Sequence, residues 1–480
     1  MPAHNFLACD LGAESGRVML GAISSADGRL TLEELHRFPN EPVQLPTGLY
    51  WDAFRLLHEI QRGLAAAGRA RKLEVTGIAI DTWGVDFGLL GRDGSLVDNP
   101  RHYRDARNNG ILERTFSVVP RDAIFAETGI QFMQFNSLFQ LHAAKLAGAS
   151  GLDGADKLLF MPDLFNYWLT GQRAAELTIA STSQFYNPRA RRWSAELFDR
   201  LGLPPHILPD IVEPGRRLGP LLPHVLQATG LRDATVYTTA SHDTASAVAA
   251  VPARGADWCY ISSGTWSLMG VELEAPLINE RSLAENLTNE VGFAGRIRLL
   301  KNIAGLWLVQ ECRRAWAAAG QDYSYAELTD MAANAPPYGA YIDPDQFLEP
   351  GQMPEKIGAY CRRNGIPVPE TPGAMVRAIL ESLAERYRQV LVAIESLIER
   401  RISTVHIVGG GSKNRLLNQL VANVTERIVV AGPSEATAAG NVLVQAIGSG
   451  LLRDLEEGRE LVRRSFEVEI FEPRRAGARA

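Results

Sequence analysis

The first forty residues alternate between apolar runs and short polar turns. Apolar residues at 5–9 predict a buried strand, and those at 17–23 predict its return across the polar stretch at 10–16. A second polar turn at 24–29 then leads to a strand at 30–38. The pattern therefore predicts three consecutive strands at the start of the chain.

Helical and strand patterns alternate in the next part of the chain. A helix is predicted over about 52–67, where apolar side chains recur near 3.6-residue spacing. These side chains are Phe54, Leu57, Ile60 and Leu64. The stretch VTGIAIDTWGVDFGLL predicts two strands, the first ending in Asp81, and the Asp93-Gly94 pair marks a hairpin turn. Strands, hairpins and crossover helices together favour a mixed α/β sheet over a purely parallel one.

A second cycle with a similar layout begins near residue 255. The segment ADWCYISSGTWSLMGVELEAP again reads as strand, small polar turn and strand. A long helix is predicted at about 373–400, followed by a buried strand, three glycines and a helix in STVHIVGGGSKNRLLNQLVANV. Pro252 and Gly255 interrupt the chain between 245 and 257. We therefore predict two similar α/β domains, residues 1–250 and 251–480, with a cleft between them.

Composition narrows the class of protein. The 480 residues are 46% hydrophobic and 22% charged, which is ordinary for a soluble globular protein. The formal net charge of -6 gives no reason to expect nucleic acid or an anionic membrane as a partner. The start MPAHNFLACD lacks the features of a signal peptide, and no run reaches the ~18 apolar residues of a membrane span.

The cysteines add information about the compartment. The four are widely scattered and form no CxxC pair, which argues against a metal cluster and against a disulfide framework. They are Cys9, Cys259, Cys312 and Cys361. We therefore expect a cytoplasmic protein. The sequence leaves the oligomeric state open, with a monomer as the working expectation.

The first polar turn has the composition of a phosphate-binding turn. Glycines permit close backbone approach, so successive N–H groups within residues 10–17 can converge on anionic oxygens. Asp10, at the end of the first strand, can hold Mg²⁺ directly or through water. The turn is not a Walker P-loop, because G-x-x-x-x-G-K-[ST] is absent. A polar hairpin turn without a ligand is the alternative, which this motif alone does not exclude.

Two further turns suit a nucleotide. SSGTWSL, at Ser262–Leu268, offers hydroxyls and N–H groups, although it could also be a simple hairpin. VGGGSKN lies at a predicted strand-to-helix junction, where bare glycines let a flat ring approach and a helix N-terminus favours negative charge. Close packing of helix on strand is the alternative for this third turn. Three such turns in one chain favour ATP as the ligand.

Asp243 is the candidate catalytic base. In ASHDTASA it follows a predicted strand and opens a helix, so an N-cap is the alternative role. A kinase that phosphorylates a hydroxyl needs one carboxylate to take the proton. His242 and Thr244 flank it as candidate hydroxyl contacts. Trp83, in IDTWGVDF, offers an aromatic face suited to a sugar, with plain packing as the alternative.

Eight segments in chain order carry a resemblance that spans nearly the whole chain, from Cys9 to about Gly448. They are DLGAESGR, IDTWGVDF, YRDARNNG, GIQFMQFNSLFQL, ASHDTASAV, SSGTWSLMG, LKNIAGLWLVQ and HIVGGGSKN. Together they resemble the FGGY family of carbohydrate kinases, and the collinear set is far more specific than any one segment. The resemblance implies two similar ribonuclease H-like domains of the actin/hexokinase/Hsp70 type, with ATP and sugar meeting in the interdomain cleft.

The resemblance also implies roles for individual positions. The implied ATP-binding residues are Ala13, Glu14, Ser15, Gly16, Arg17, Thr265, Gln310 and Gly410. The implied sugar-binding residues are Gly84, His242, Asp243, Thr244 and Asn302. Asp243 is implied as the proton acceptor and Asp10 as the residue associated with metal and phosphate. Asn302 and Gln310 come from the resemblance alone, since by themselves they read as polar residues of a helix start and a helix surface.

The implied reaction is the ATP-dependent phosphorylation of L-rhamnulose at its 1-hydroxyl, in rhamnose catabolism, with Mg²⁺ as cofactor. FNSLFQLHAAK stands where the broader family often has a Lys-x-x-Trp segment, which weakens xylulose or glycerol as the substrate. A kinase for another deoxyketose or pentulose is one alternative. A non-catalytic sugar or nucleotide sensor on the same fold is another, and Asp243 argues against it because a sensor needs no base there.

Overall fold

A computed structural model describes residues 3–474, in which strands and helices alternate along the chain. The strands are Ala3–Leu11, Ser15–Ser24, Leu30–Pro39, Pro42–Leu45, Gly48–Trp51, Gly77–Thr82, Phe87–Leu90, Leu96–Asp98, Lys157–Phe160, Ala174–Glu176, Tyr186–Asn187, Arg192–Trp193, Asp210–Val212, Arg217–Pro220, Thr235–Tyr237, Trp258–Ser263, Ser267–Leu273, Thr288–Val291, Ile297–Ile303, Thr404–Val408, Ile428–Ala431 and Glu469–Phe471. The α-helices are Ala53–Ala65, Ile111–Phe116, Arg121–Thr128, Ser137–Leu146, Ser150–Asp153, Met161–Thr170, Leu177–Ala180, Ala195–Arg200, Pro223–Thr229, Asp243–Ala249, Glu280–Ala284, Trp307–Ala318, Tyr325–Asn334, Met353–Arg363, Pro372–Ile398, Arg415–Thr425, Ala436–Gly448 and Leu455–Ser465. Short 3₁₀ turns lie at Ala106–Asn108, Ser181–Ser183, Pro205–Ile207, Phe293–Gly295, Pro344–Gln346 and Gly410–Lys413, and a π-helical turn at Ala66–Ala70.

The chain forms two compact units, and the first is assembled from three stretches of sequence. It takes the residues up to Pro252 together with Glu272–Leu299 and Ala436–Ser465. The second unit takes Ala253–Val271, Leu300–Glu435 and the residues from Phe466 onward. The predicted single boundary near residue 250 does not account for Glu272–Leu299 and Ala436–Ser465. These two stretches follow the boundary in the sequence but belong to the first unit.

The sheet of the first unit has six strands and begins with the predicted meander. From one edge its strands are Arg217–Pro220, Thr235–Tyr237, Gly77–Thr82, Ala3–Leu11, Ser15–Ser24 and Leu30–Pro39. The first strand of the chain runs antiparallel to its hairpin partner and parallel to Gly77–Thr82. Thr235–Tyr237 continues the parallel part, and Arg217–Pro220 closes that edge antiparallel. The sheet is therefore mixed, as the sequence pattern predicts.

The sheet of the second unit repeats this order of directions. Five of its strands lie in the order Ser267–Leu273, Trp258–Ser263, Thr404–Val408, Ile428–Ala431 and Glu469–Phe471. The first two form an antiparallel hairpin, the next two continue parallel to Trp258–Ser263, and the last is antiparallel. The prediction of two similar α/β halves is confirmed.

In the first long helix, the buried face differs from the one that the spacing of apolar residues predicts. The helix Ala53–Ala65 buries Ala53, Leu56, Ile60, Gly63 and Leu64. Phe54, which the sequence analysis places on the apolar face, is 58% exposed and stacks on Trp168. The predicted helix over 52–67 is correct in position, but its buried face includes Leu56, whereas Phe54 lies on the surface against Trp168.

A helix from late in the sequence covers part of the first sheet. Gln445, in Ala436–Gly448, donates from Nε2 to the carbonyl of Leu7 at 3.2 Å. A Cβ atom on Gly440 would lie 1.7 Å from the carbonyl oxygen of Ser246, so the two backbones touch there. Within the described residues, no helix is long and apolar enough to cross a membrane.

Candidate functional site

One edge of the first sheet brings acidic side chains together. Asp10 lies near the end of the first strand, and its register partner in the neighbouring parallel strand is Asp81. Next to it, the backbone N–H of Thr82 donates to the carbonyl of Ser241 at 2.9 Å, two residues before Asp243. Parallel strands end at the same edge of a sheet, which is where α/β proteins bind ligands. Local sequence supplies each residue, and the strand pairing brings them together.

The turn after Asp10 is a tight hairpin. Arg17 donates to Oδ2 of Asp10 from Nη2 at 2.7 Å and from Nε at 3.0 Å. The N–H of Gly12 donates to the carbonyl of Ser15 at 2.9 Å. Glycines are expected here for their backbone freedom, but neither Gly12 nor Gly16 has a positive φ. Gly16 is needed for packing, since a Cβ atom there would lie 2.3 Å from the Phe38 ring.

The three carboxylates differ in their electrostatic surroundings. Burial, and then the charge of Asp10, raise the pKa of Asp81 well above its usual range, while a hydrogen bond from Asn441 to Oδ2 opposes this. Burial also raises the pKa of Asp243, although the neighbouring His242 lowers it and Asp10 raises it further. The cluster therefore resists having all three groups ionised at once, as expected for like charges that share a poorly solvated site.

Asp243 is the first residue of the helix Asp243–Ala249, and His242 is the N-cap. The Asp243 carboxylate accepts hydrogen bonds from the backbone N–H and the hydroxyl of Thr244, and its side chain is 28% exposed. The N-cap alternative for Asp243 is wrong in position, because the helix already includes Asp243 and its N-cap is His242. The carboxylate nevertheless accepts from the second N–H of the helix, that of Thr244, as a capping group does. It remains partly exposed.

Buried side chains fix the backbone that carries His242 and Asp243. Glu176 accepts from the N–H of Ser241 at 3.0 Å, and the hydroxyl of Thr178 accepts from the N–H of His242 at 3.2 Å. Glu176 also binds the hydroxyl of Thr178 at 2.6 Å. Burial raises the pKa of Glu176 to about 7, against the hydrogen bonds that it accepts.

Another fully buried carboxylate, Asp86, organises an aromatic cluster. It accepts hydrogen bonds from Nε1 of Trp51 (2.6 Å), Nε1 of Trp83 (3.0 Å), the N–H of Tyr103 (3.2 Å) and Nε2 of Gln140 (2.7 Å). Trp83 is buried against Trp51, with ring centroids 4.2 Å apart, so it is packed in the core. The cluster unites IDTWGVDF, YRDARNNG and GIQFMQFNSLFQL, which are far apart in the sequence.

Gly84 lies beside the imidazole of His242. A Cβ atom on Gly84 would lie 3.5 Å from His242 Nε2. The next residue, Val85, has φ of 68°, which is a strained conformation for a β-branched side chain. Its N–H donates to the hydroxyl of Thr182 at 3.2 Å, and its carbonyl accepts from the hydroxyl of Ser137. Strain of this kind persists where neighbours over-determine it, often at ligand sites.

The second unit brings together two of the predicted ATP-binding residues. Gln310 donates from Nε2 to Oγ1 of Thr265 at 3.2 Å. The helix that begins at Trp307 starts against this turn, since its first N–H donates to the carbonyl of Thr265 at 3.0 Å. Gly305 has φ of 58°, and a Cβ atom there would lie 2.6 Å from the backbone nitrogen of Ser267. The turn and the start of the helix thus pack directly against each other.

The three glycines after strand Thr404–Val408 have different structural roles. Gly409 has φ of 83°, and a Cβ atom on Gly411 would lie 2.0 Å from Oγ of Ser263. Gly410 between them is exposed, and a Cβ atom there would meet nothing within 4 Å. Only Gly410 therefore leaves bare backbone facing open space, as a site for a flat ring requires.

The predicted sugar-binding residues do not all belong to one unit. Gly84, His242, Asp243 and Thr244 lie in the first, whereas Asn302 is a half-buried residue of the second. Its strand is Ile297–Ile303, so the expectation of a helix start at this position from the residues alone is wrong.

Sequence reasoning missed two buried charges beside His242. Glu290 and Arg298 are 4% and 0% exposed, and their Oε2 and Nη2 atoms lie 3.1 Å apart. Both atoms are within 3.2 Å of His242 Nδ1. Charged residues are almost never fully buried, so no local signal marked them.

The carboxylates of Asp10, Asp81 and Asp243 are the kind of oxygen ligand that Mg²⁺ prefers. In the described part of the chain, no group of three or more His, Cys, Asp or Glu side chains could hold a metal ion by itself. Oδ1 of Asp81 is buried and has no hydrogen-bond partner there. Mg²⁺ usually keeps several waters and binds one or two carboxylates together with substrate phosphates. The residues fit an ion that arrives with a nucleotide, rather than one enclosed by protein ligands.

Comparison with known proteins agrees with this arrangement. Residues 6–250 match the N-terminal domain of the FGGY family of carbohydrate kinases, and residues 259–449 match its C-terminal domain. The chain belongs to the FGGY family of carbohydrate kinases. It is 48% identical over 472 residues to a rhamnulokinase of Bacteroides thetaiotaomicron, covering 98% of this chain and 96% of the relative. It is 42% identical over 473 residues to a rhamnulokinase of Enterococcus faecalis, covering 98% and 94%.

Solved structures of a gluconate kinase and a xylulose kinase share the fold. A gluconate kinase from Lactobacillus acidophilus superposes with a TM-score of 0.80 at 17% identity, covering 98% of this chain and 94% of the other. A xylulose kinase from the same organism gives 0.78 at 16% identity, with the same coverage. The predicted two-domain fold of the actin/hexokinase type is thereby confirmed for this FGGY family member.

Proposed function

We propose that the protein transfers a phosphoryl group from ATP to the 1-hydroxyl of L-rhamnulose, giving L-rhamnulose 1-phosphate in rhamnose catabolism. The two relatives described above are named rhamnulokinases, and the chain covers at least 94% of each. The structural observation that carries the proposal is Asp243, a partly exposed carboxylate in the first turn of a helix, with a raised pKa beside a histidine.

Asp243 accepts the proton of the attacking hydroxyl. Burial raises its pKa, which makes the ionised carboxylate a stronger base than an exposed one. His242, Thr244 and Gly84 contact the sugar around it, and Asn302 contributes a further sugar contact. The hydrogen bonds that Glu176 and Thr178 accept from the backbone support this role, because a base must be held within hydrogen-bond reach of its proton.

The phosphates of ATP bind the N–H groups and side chains of residues 13–17 and the hydroxyl of Thr265. Gln310 orients Thr265 through the bond between them. The adenosine lies against the exposed backbone of Gly410. Donors of this kind stabilise charge on the transferring phosphoryl group without reorganising during the reaction.

Asp10 would hold Mg²⁺, directly or through water. Both hydrogen bonds from Arg17 to Asp10 end on the same oxygen, Oδ2, so Arg17 does not occupy Oδ1. When bound with ATP, the ion supplies positive charge that offsets the negative phosphate oxygens.

The test is an assay of the purified protein with Mg-ATP and a panel of ketoses, read by mass spectrometry of the sugar phosphates. We expect L-rhamnulose to be the best substrate, and no turnover when EDTA is added. Better turnover of xylulose or another ketose would contradict the substrate. ATP and sugar binding without any sugar phosphate would instead support a sensor.

We also propose that the protein acts in the cytoplasm and as a monomer. All four cysteines are buried and free, as suits a reducing compartment. Light scattering of the purified protein tests the monomer, and a mass twice that of the chain would contradict it.

A further inference from the structure

Asn40 lies directly after the strand Leu30–Pro39 and contacts the first polar turn. Its Nδ2 atom donates to the carbonyl of Gly12 at 2.9 Å, and its backbone N–H donates to the carbonyl of Glu14 at 2.9 Å. The strand pairing places it there, because Ser15 of the turn pairs with the last residue of that strand. Asn40 therefore holds two carbonyl groups of the turn, one with its side chain and one with its backbone.

These two hydrogen bonds fix the directions of two N–H groups of the turn. Both peptide bonds concerned, 12–13 and 14–15, are trans. In a trans peptide unit, the C=O and the N–H point to opposite sides. The N–H of Ala13 therefore points away from the bond to the Gly12 carbonyl, and the N–H of Ser15 points away from the bond to the Glu14 carbonyl. Ala13 and Ser15 are two of the residues proposed above to bind the ATP phosphates.

The peptide unit between Gly12 and Ala13 needs a restraint from outside the turn. Gly12 has no Cβ atom, so its own backbone angles are weakly restricted. Rotation of this unit would bring the Gly12 carbonyl oxygen to the side where the Ala13 N–H now points, and an oxygen there would repel a phosphate. The preceding carbonyl, of Leu11, is held by a backbone donor, the N–H of Trp83, at 3.1 Å. At Gly12 the side chain of Asn40 supplies the donor.

Packing alone does not explain an amide at position 40. Asn40 is 3% exposed, and its Oδ1 atom has no hydrogen-bond partner among the described residues. A buried acceptor that is left unpaired destabilises a fold. An apolar side chain would fill the space without that cost, whereas only a donor can bind the Gly12 carbonyl. The Nδ2 donor is therefore the feature that accounts for Asn40.

We propose that Asn40 is a positioning residue for ATP, which holds the Gly12 carbonyl so that the N–H of Ala13 stays directed at the phosphates. The identity of the ligand rests on the proposed function. Asn40 acts through the turn, so its effect should be confined to the binding of the phosphates. The binding of adenosine should not depend on it, because the adenosine is proposed to lie against Gly410 of the second unit.

The test compares the affinities for ATP and for adenosine in Asn40→Ala. This variant keeps the backbone N–H that binds the Glu14 carbonyl and removes the Nδ2 donor. We expect the Kd for ATP to rise roughly 3–10-fold, as for one lost hydrogen bond, and the Kd for adenosine to change less than about twofold. Calorimetry measures the binding of ATP, ligand-observed NMR measures the weaker binding of adenosine, and thermal melting shows that the variant is folded.

Asn5→Ala is the matched control. Asn5 lies in the strand Ala3–Leu11, and its Nδ2 atom donates to the carbonyl of Glu74 at 3.0 Å, which is the same kind of bond away from the turn. Both Kd values should stay at those of the wild type. Should Asn40→Ala not fold, Asn40→Ser is measured in its place, because its hydroxyl is one bond too short to replace the Nδ2 donor.

The ratio of the two Kd values separates the positioning role from a purely structural one. A residue that only stabilises the hairpin would lower the Tm and leave this ratio as in the wild type. An unchanged Kd for ATP in a folded variant, or an equal rise of both Kd values, would therefore overturn the proposal. No sugar is present, so the result does not depend on which ketose is the substrate. A wild type that binds no ATP would overturn the proposed function and this proposal together.

Discussion

At the scale of single residues, three neighbouring aspartates are distinguished by their partners. Asp10 is paired with Arg17, Asp81 is held by Asn441 in full burial, and Asp243 is partly exposed beside His242. An ion pair stabilises the charged form of a carboxylate, whereas burial among like charges disfavours it. Of the three, Asp243 combines accessibility with raised basicity, which is what accepting a proton from a bound substrate requires.

Asp243→Asn should abolish most of the catalysis and leave the fold intact. The amide keeps the size of the side chain and can still accept from Thr244, but it cannot take a proton. We expect kcat to fall about 10²–10⁴-fold, the usual contribution of a general base, with ATP affinity nearly unchanged. Steady-state kinetics, calorimetry and thermal melting measure these on one preparation.

The matched control is Asp122→Asn, which changes an exposed aspartate in the first turn of the helix Arg121–Thr128. It should leave kcat unchanged. If Asp243→Asn keeps more than about a tenth of the wild-type kcat, the loss falls below the general-base range and the assignment of Asp243 is wrong.

Gly410→Val should weaken ATP binding without destabilising the protein. The new side chain would project into open space that the adenosine is proposed to occupy. We expect the Kd for ATP to rise at least tenfold at an unchanged Tm, which calorimetry and thermal melting can measure. Gly411→Val is the contrasting variant, since its Cβ would lie 2.0 Å from Oγ of Ser263 and should lower the Tm. Unchanged ATP affinity in Gly410→Val would place the adenosine elsewhere.

At the scale of secondary-structure elements, the buried Asp81 carboxylate makes the stability of the strand Gly77–Thr82 dependent on pH. The pKa of Asp81 is raised in the folded protein above the ordinary value of 3.8. The folded state therefore binds more protons than the unfolded state above that pH. Stability contributed by the protonated carboxyl is present below 3.8 and is lost as pH rises through the folded pKa.

Asp81→Asn should consequently raise the Tm, and more so at higher pH. Its Oδ1 can still accept the bond from Asn441, while the buried charge next to Asp10 is removed. We expect a gain of about 2–4 °C at pH 8, equivalent to about 1 kcal/mol in a large domain, shrinking as the pH is lowered towards 5. Asp210→Asn, at an exposed aspartate, is the control and should show no such trend. A lower Tm for Asp81→Asn across this range would contradict the argument.

Local patterns predicted individual elements well and their partners poorly. The hairpin of Ala3–Leu11 with Ser15–Ser24 could be predicted because both strands and the turn lie within about twenty residues. The contact of Gln310 with Thr265 could not be predicted in this way, because 45 residues separate them. The local sequence around a polar helix residue does not indicate which distant residue it contacts. The family resemblance identified both residues because it matches whole segments of the chain to known positions and does not depend on the local pattern.

The burial of Arg298 and the packing of the late helix Ala436–Gly448 on the first unit could not be predicted either, because both depend on residues distant in the sequence. Arg298 lies in a strand whose pattern does not separate a buried arginine from an exposed one, and only its ion pair with Glu290 explains its place. Likewise, the small residues of SEATAAGNVLVQAI predict a closely packed helix, but nothing in them states that its neighbour is Ser246, almost 200 residues earlier.

At the scale of the whole molecule, the first unit depends on residues far along the chain. A fragment ending at Pro252 lacks Glu272–Leu299 and Ala436–Ser465, which belong to that unit. It therefore leaves uncovered the sheet surface on which Gln445 and Asn441 pack. We expect this fragment to show no cooperative thermal transition and to bind a hydrophobic dye, whereas the full chain melts cooperatively. A sharp melting transition of the fragment would mean that residues up to 252 fold alone.

This dependence has a consequence for biosynthesis. A ribosome adds about 5–20 residues per second, so the roughly 180 residues between Pro252 and Ala436 occupy some 10–40 s of translation. Throughout that interval the nascent first unit exposes an apolar sheet surface on which folding chaperones can act. A ribosome that stalls in this interval therefore releases an aggregation-prone intermediate instead of a functional half-molecule.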